Sequence, residues 1–179
     1  MAELETHTLT ALVEDKPGVL ARVAGMFSRR GFNISNLAVG HSEQDSLSRM
    51  TFVVEGGQQV VEQVTKQLYK LIDVVRVNDI SSESIVVREL ALIKVKSTAA
   101  TRPEIMQIVD IFRANIVNVS KDALIIEVTG DEDKVDALLQ LLRPFGVAET
   151  MRTGHVAMTR GGASTGAKRP AQPVPDHSA

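Results

Sequence analysis

One stretch of the chain combines residue types suited to holding a small charged molecule: Glu14-Asp15-Lys16-Pro17-Gly18-Val19-Leu20. It follows a strand-like run, Thr8 to Val13, and opens a helix-like run, Val19 to Arg30. The first N–H groups of such a helix have no intrahelical acceptor, and the helix dipole adds partial positive charge there. A carboxylate or a phosphate fits that position. Pro17 suits the approach to a helix, and Gly18 lets backbone come close to a ligand because it has no Cβ. Many strand-to-helix corners share this chemistry, so the local residues alone do not assign a ligand.

Residues for covalent or metal chemistry are sparse. The histidines, His7, His41, His155 and His177, stand far apart, without the i, i+3 or i, i+4 spacing of a metal pair. There is no cysteine, which removes disulfides, thiolate nucleophiles and Cys-based metal sites together. No serine stands in a G-x-S-x-G elbow. Asp131-Glu132-Asp133 falls in the first turn of a predicted helix, where acidic residues complement the dipole. Gly161 to Lys168 has the glycine spacing of a phosphate-binding loop, but Ala167 stands where that loop requires lysine.

The elements that must position the corner follow from hydrophobic periodicity. Val19, Leu20, Val23, Met26 and Phe27 mark one helical face, and Gly31 ends that helix. Asn33 to Val39 and Ser48 to Glu55 read as strands around a polar loop, His41 to Ser46. Gly56-Gly57 breaks the second of these. A helix over Val60 to Ile72 and a strand over Val74 to Ile80 follow. After Ser81-Ser82-Glu83-Ser84 the same order recurs: a strand Glu89 to Lys96, a capping-box pattern Thr101-Arg102-Pro103-Glu104 opening a helix, and strands Ile116 to Val119 and Leu124 to Val128. A helix ended by Pro144 and Gly146 comes next, then an extended stretch from Val147 to about Thr159. The expectation is an α+β protein of two tandem ferredoxin-like βαββαβ modules, each with its helices on one face of a four-stranded sheet. The boundaries are 1–80, a linker 81–84, 85–160, and a tail 161–179 whose Gly, Ala, Ser and Pro content predicts disorder. Modules this small gain burial from a partner at an open edge, so a dimer is expected.

Composition narrows the function classes. The chain has 179 residues, 44% hydrophobic and 23% charged, as in an ordinary globular protein. No apolar run is long enough to span a membrane, and the first residues do not resemble a secretory signal, so a cytoplasmic protein is expected. The whole chain carries −2; leaving out three basic and one acidic residue from Arg160 onward, the body has 17 basic against 21 acidic side chains, or −4. This balance and a 3% aromatic content argue against nucleic-acid binding. RNA-recognition modules of this architecture need aromatics on their central strands, and metal carriers need paired cysteines. Ser48 to Val54 has one aromatic, Phe52. Small-ligand binding at the corner is what remains.

The run Leu12 to Val23 resembles the opening of an ACT domain, a module that binds amino acids and regulates enzymes. Phe27 to Ile34, Leu47 to Thr51, Glu62 to Leu68, Arg88 to Val95 and Phe112 to Ile116 extend the resemblance to the small regulatory subunits of acetolactate synthase. It covers about His7 to Gly161. It implies a non-catalytic partner of a separate catalytic (large) subunit, which holds thiamine diphosphate, magnesium and FAD, with none bound by this chain. It also implies activation of that subunit and feedback inhibition by valine, in some members by leucine or isoleucine, at joints between paired ACT domains. The effector residues carried over are Asp15, Lys16, Pro17, Gly18, Val19 and Leu20 of one copy with Asn33 and Ile34 of a neighbour. The N–H groups of Gly18, Val19 and Leu20 suit the valine carboxylate, Asp15 and the Asn33 oxygen its ammonium, and Leu20 and Ile34 its isopropyl group. The second module has Ser97 to Pro103 in place of this corner, which points to contact with the catalytic subunit instead. The competing reading is a free-standing ACT sensor acting on another enzyme.

Overall fold

The computed structural model describes residues 5–161; the expected tail and the glycine-rich near match beyond Gly161 lie outside them. Among the described residues two compact units emerge, one of residues 5–86 and 157–161, the other Val87–Val156.

The first unit is built from β1 (Thr6–Glu14), α1 (Val19–Arg30), β2 (Ile34–His41), β3 (Leu47–Glu55), α2 (Gln58–Leu68) and β4 (Val74–Asp79). The sheet order is β2-β3-β1-β4, antiparallel throughout. Alternation along the strands turns Leu9, Ala11 and Val13 of β1 and Met50, Phe52 and Val54 of β3 to one side. There they meet Val19, Val23, Met26 and Phe27 of α1 and Val61, Val64 and Leu68 of α2. Both helices therefore cover the same face, as expected. The Phe27 and Phe52 rings lie 5.3 Å apart, and Phe32 meets Phe27 edge-on at 6.2 Å. Gly31 ends α1 in the left-handed conformation, φ 68°, while Phe32 N–H bonds back to Phe27 C=O at 3.1 Å. The start of β2 is thus set by a glycine cap and an aromatic anchor.

The second unit repeats the plan with β5 (Ile85–Lys96), α3 (Arg102–Ile111), β6 (Asn115–Val119), β7 (Ala123–Gly130), α4 (Glu132–Leu142) and β8 (Val147–Arg152). Its sheet runs β6-β7-β5-β8. Ala91, Ile93, Val95, Leu124, Ile126 and Val128 pack beneath Ile105, Val109, Val135, Leu138 and Leu142. Asp131 caps α4, its carboxylate accepting from Lys134 N–H at 3.0 Å, with Glu132 and Asp133 in the first turn. Buried Glu89 takes two bonds from the Arg152 guanidinium, whose third nitrogen reaches Asp136 at 2.7 Å. These bonds hold Arg152 well above its ordinary pKa, the Glu89 hydrogen bond contributing most.

Three expectations need correction. The extended stretch after Gly146 is two strands: β8 ends at Arg152, Gly154 turns the chain at φ 81°, and β9 (Val156–Thr159) pairs with β5. Thr101 does not make the capping box, because its hydroxyl accepts from Thr98 N–H at 2.9 Å instead of the helix behind it. Asn33 precedes β2 instead of opening it.

Candidate functional site

The β1–α1 corner is fastened by backbone. Glu14 N–H donates to Asp73 C=O at 2.9 Å and Asp15 N–H to Ser46 C=O at 2.8 Å, tying the corner to the loops before β4 and β3. Gly18 caps α1 at φ 85°, a left-handed conformation that disfavours other residues, and its C=O takes the first helical bond, from Arg22 N–H at 3.0 Å. There is no acidic side chain in the first turn and no side-chain cap, so the dipole there has no carboxylate of the helix's own.

The eight residues singled out from sequence fall into two groups. Asp15, Lys16, Pro17, Gly18 and Leu20 are exposed together at the corner. Asp15 Oδ2 lies 3.1 Å from His41 Nδ1, so the end of β2 meets the corner. Lys16 is turned to Glu14 at 2.7 Å, and that carboxylate holds its ammonium above the usual lysine value. Val19 keeps its side chain in the core, as its place on the apolar helical face predicts, but its N–H, expected to serve a carboxylate, reaches Lys16 C=O at 3.3 Å; Leu20, read on that same face, is exposed. The remaining pair, Asn33 and Ile34, is not brought to this corner. It follows α1, whose twelve residues set it roughly 18 Å away along the axis. Asn33 is exposed, while Ile34 leans on the core.

Two residues beside the corner were not legible from local sequence. Arg22 Nε donates to Asp73 Oδ2 at 2.7 Å, and Arg22 Nη1 lies 3.0 Å from where a Cβ on Gly18 would sit. The guanidinium hydrogen bond holds the Asp73 carboxyl below the usual carboxylate range and raises Arg22 in turn. Fifty-one positions separate the two, so only the fold pairs them.

Residues 9–76 match the family described as "AHAS small subunit-like ACT domain", and residues 88–161 match "Small subunit of acetolactate synthase". A probable acetolactate synthase small subunit of Archaeoglobus fulgidus is 61% identical over 87% of this chain and 97% of its own length. This chain belongs to the acetolactate synthase small-subunit family. The Mycobacterium leprae acetolactate synthase small subunit is 52% identical over 94% of this chain and 100% of its own. The crystal structure of a Thermotoga maritima acetolactate synthase small subunit, 46% identical, superposes with a TM-score of 0.84 over 89% of this chain and all of its own.

Within this small-subunit chain the two modules furnish their corners differently. At the β5–α3 corner, Thr98 and Thr101 bond each other's backbone N–H groups and hydroxyls. The Arg102 guanidinium is committed to Ser97 Oγ and to the carbonyls of Ser120 and Lys121. That corner closes on itself. Among the described residues no group of three or more His, Asp or Glu side chains is placed to hold a metal ion, and no helix is long and apolar enough to cross a membrane.

Proposed function

We propose that this chain activates the acetolactate synthase catalytic subunit and confers feedback inhibition by valine, or another branched-chain amino acid, bound between the first modules of two copies. The observation that supports this is the separation of Gly18 from Asn33 by the length of α1, combined with the sheet order. β2 is an edge strand running in the same direction as β1, so its last residue lies at the corner and its first at the far end. If two copies pair β2 edge to β2 edge antiparallel, each Asn33 passes to the other copy's corner. One copy then supplies the carboxylate seat and Asp15, and the second supplies the Asn33 oxygen. Lys16, Pro17, Val19 and Leu20 shape the first half and Ile34 the second.

Inhibition in this reading is a population shift. Valine favours one arrangement of the paired modules and so changes how the catalytic subunit is held. Thiamine diphosphate, magnesium and FAD belong to that subunit. The second module, with its self-closed corner, serves contact with it.

The test is Gly18→Asp in the holoenzyme reconstituted with the catalytic subunit, assayed with and without valine. The variant places a carboxylate beside Arg22, where the effector's own would sit. Loss of inhibition is expected; unchanged sensitivity to valine removes the corner from the site. Recovery of an enzyme other than acetolactate synthase with the tagged chain would favour the free-standing sensor.

A further inference from the structure

The chain builds the same corner twice, which separates what the fold requires from what it does not. Lys96 N–H donates to Gly146 C=O at 3.0 Å and Ser97 N–H to Asp122 C=O at 2.8 Å, matching the bonds of Glu14 to Asp73 and Asp15 to Ser46. These bonds set Asp73 opposite Gly146. Counted from them, Gly18 stands opposite Ala100 and Arg22 opposite Glu104; counted from the helix starts, the opposites are Thr101 and Ile105. By neither count does the second corner hold a left-handed cap, a guanidinium reaching the loop before the last strand, or a carboxylate to receive it. The corner therefore forms without this trio.

In the first module the trio is arranged outward. Asp73 is 9% exposed at its side chain and grips only Nε of Arg22, whose side chain is 47% exposed. Among the described residues Nη1 and Nη2 have no acceptor. Nη1 lies over the face of Gly18 that lacks a Cβ, next to the open N-terminus of α1. A guanidinium held by one nitrogen presents the other two as a fork, which matches a carboxylate in shape and charge.

We propose that Arg22 is a specificity-determining residue of the effector site, its Nη1/Nη2 edge receiving the α-carboxylate of the amino acid while Asp73 holds the guanidinium from behind. This rests on the reading of the corner as the amino-acid seat. Gly18 then has a second purpose: with no Cβ it lets the guanidinium come close to the helix N-terminus, since an added Cβ would lie 3.0 Å from Nη1. Asp73 is a positioning residue, acting through Arg22.

The experiment compares valine with valinamide, which keeps the side chain and the ammonium but replaces the carboxylate by a neutral amide. Half-inhibiting concentrations are read on the full chain reconstituted with the catalytic subunit. The native chain is expected to prefer valine by about tenfold or more. Arg22→Gln should weaken valine by about that factor and leave valinamide within about twofold, so that the preference collapses. Arg22→Lys keeps the charge without the fork and should lose part of the preference, which covers the case in which Arg22→Gln fails to fold. If both ligands weaken together, or the ratio is unchanged, Arg22 only braces the loop and the proposal fails alone. If the native holoenzyme ignores valine, leucine and isoleucine, the amino-acid seat itself is wrong and this proposal falls with it.

Discussion

Gly18 and Asn33 stand at the two ends of α1, facing solvent at both, with the whole helix between them. A single copy cannot close them on one small molecule. Two copies carrying different lesions should therefore complement each other. In a mixed dimer of Gly18→Asp and Asn33→Ala chains, one joint receives both lesions and the other receives neither. Co-expression at equal levels should restore about a quarter of the valine sites, while each variant alone has none. Calorimetric titration of the co-purified mixture counts them. A site contained in one copy would show no recovery.

Acid should act on the Arg22–Asp73 pair in a defined window. The guanidinium lowers the folded pKa of Asp73, so the pair's contribution is complete above the unfolded carboxylate value and is lost as pH falls through the lower, folded one. The stability difference between the native chain and Asp73→Asn should hold steady from about pH 7 to about pH 5 and shrink below about pH 4. Denaturant melts at stepped pH read this directly. A difference that changes near neutrality would point to another titrating group.

Arg152→Ala should be among the most damaging single changes in the second unit. It leaves the Glu89 carboxylate, 1% exposed, without its partner, and removes the link to Asp136. The expected loss is about 3 kcal/mol, toward the lower end for a broken buried pair because Arg152 itself is partly exposed. Equilibrium unfolding followed by circular dichroism measures it. Glu89→Gln, which keeps a hydrogen-bonding group of the same shape, should cost less.

Phe32 anchors the chain just before Asn33 by packing its ring edge on Phe27. Phe32→Ala should destabilise the first unit by about 1–3 kcal/mol, less than a fully buried phenylalanine, and loosen the start of β2. Valine affinity should fall while co-purification with the catalytic subunit persists. Equal loss of both would mean that the whole unit has unfolded.

The duplicated plan was readable because it rests on local signals: apolar periodicity, Gly31 after Arg29 and Arg30, and the Gly56-Gly57 break. The corner itself was readable for the same reason. Arg22 and Asp73 were not, since a side chain on a helical face gives no hint of which distant loop it meets. Thr101 misled because a capping-box pattern names donors and acceptors without stating their direction, and Thr98 competes for the hydroxyl. The break between β8 and β9 hinges on Gly154 inside an otherwise extended run. Leu20 and Ile34 carried the ambiguity of any apolar residue at a site's rim, where the core competes with the ligand for the same side chain; Leu20 is left exposed and Ile34 leans on the core.

The fastening at both corners uses peptide groups, which nearly every residue type possesses. Side chains there can be exchanged through descent without the chain having to rediscover how to turn. A gene that carried the unit twice could keep one turn as a sensor and leave the second free to drift toward a docking role. The architecture thus holds the same turn twice on hydrogen bonds between peptide groups alone and leaves the side chains of each corner free to differ, as they do here.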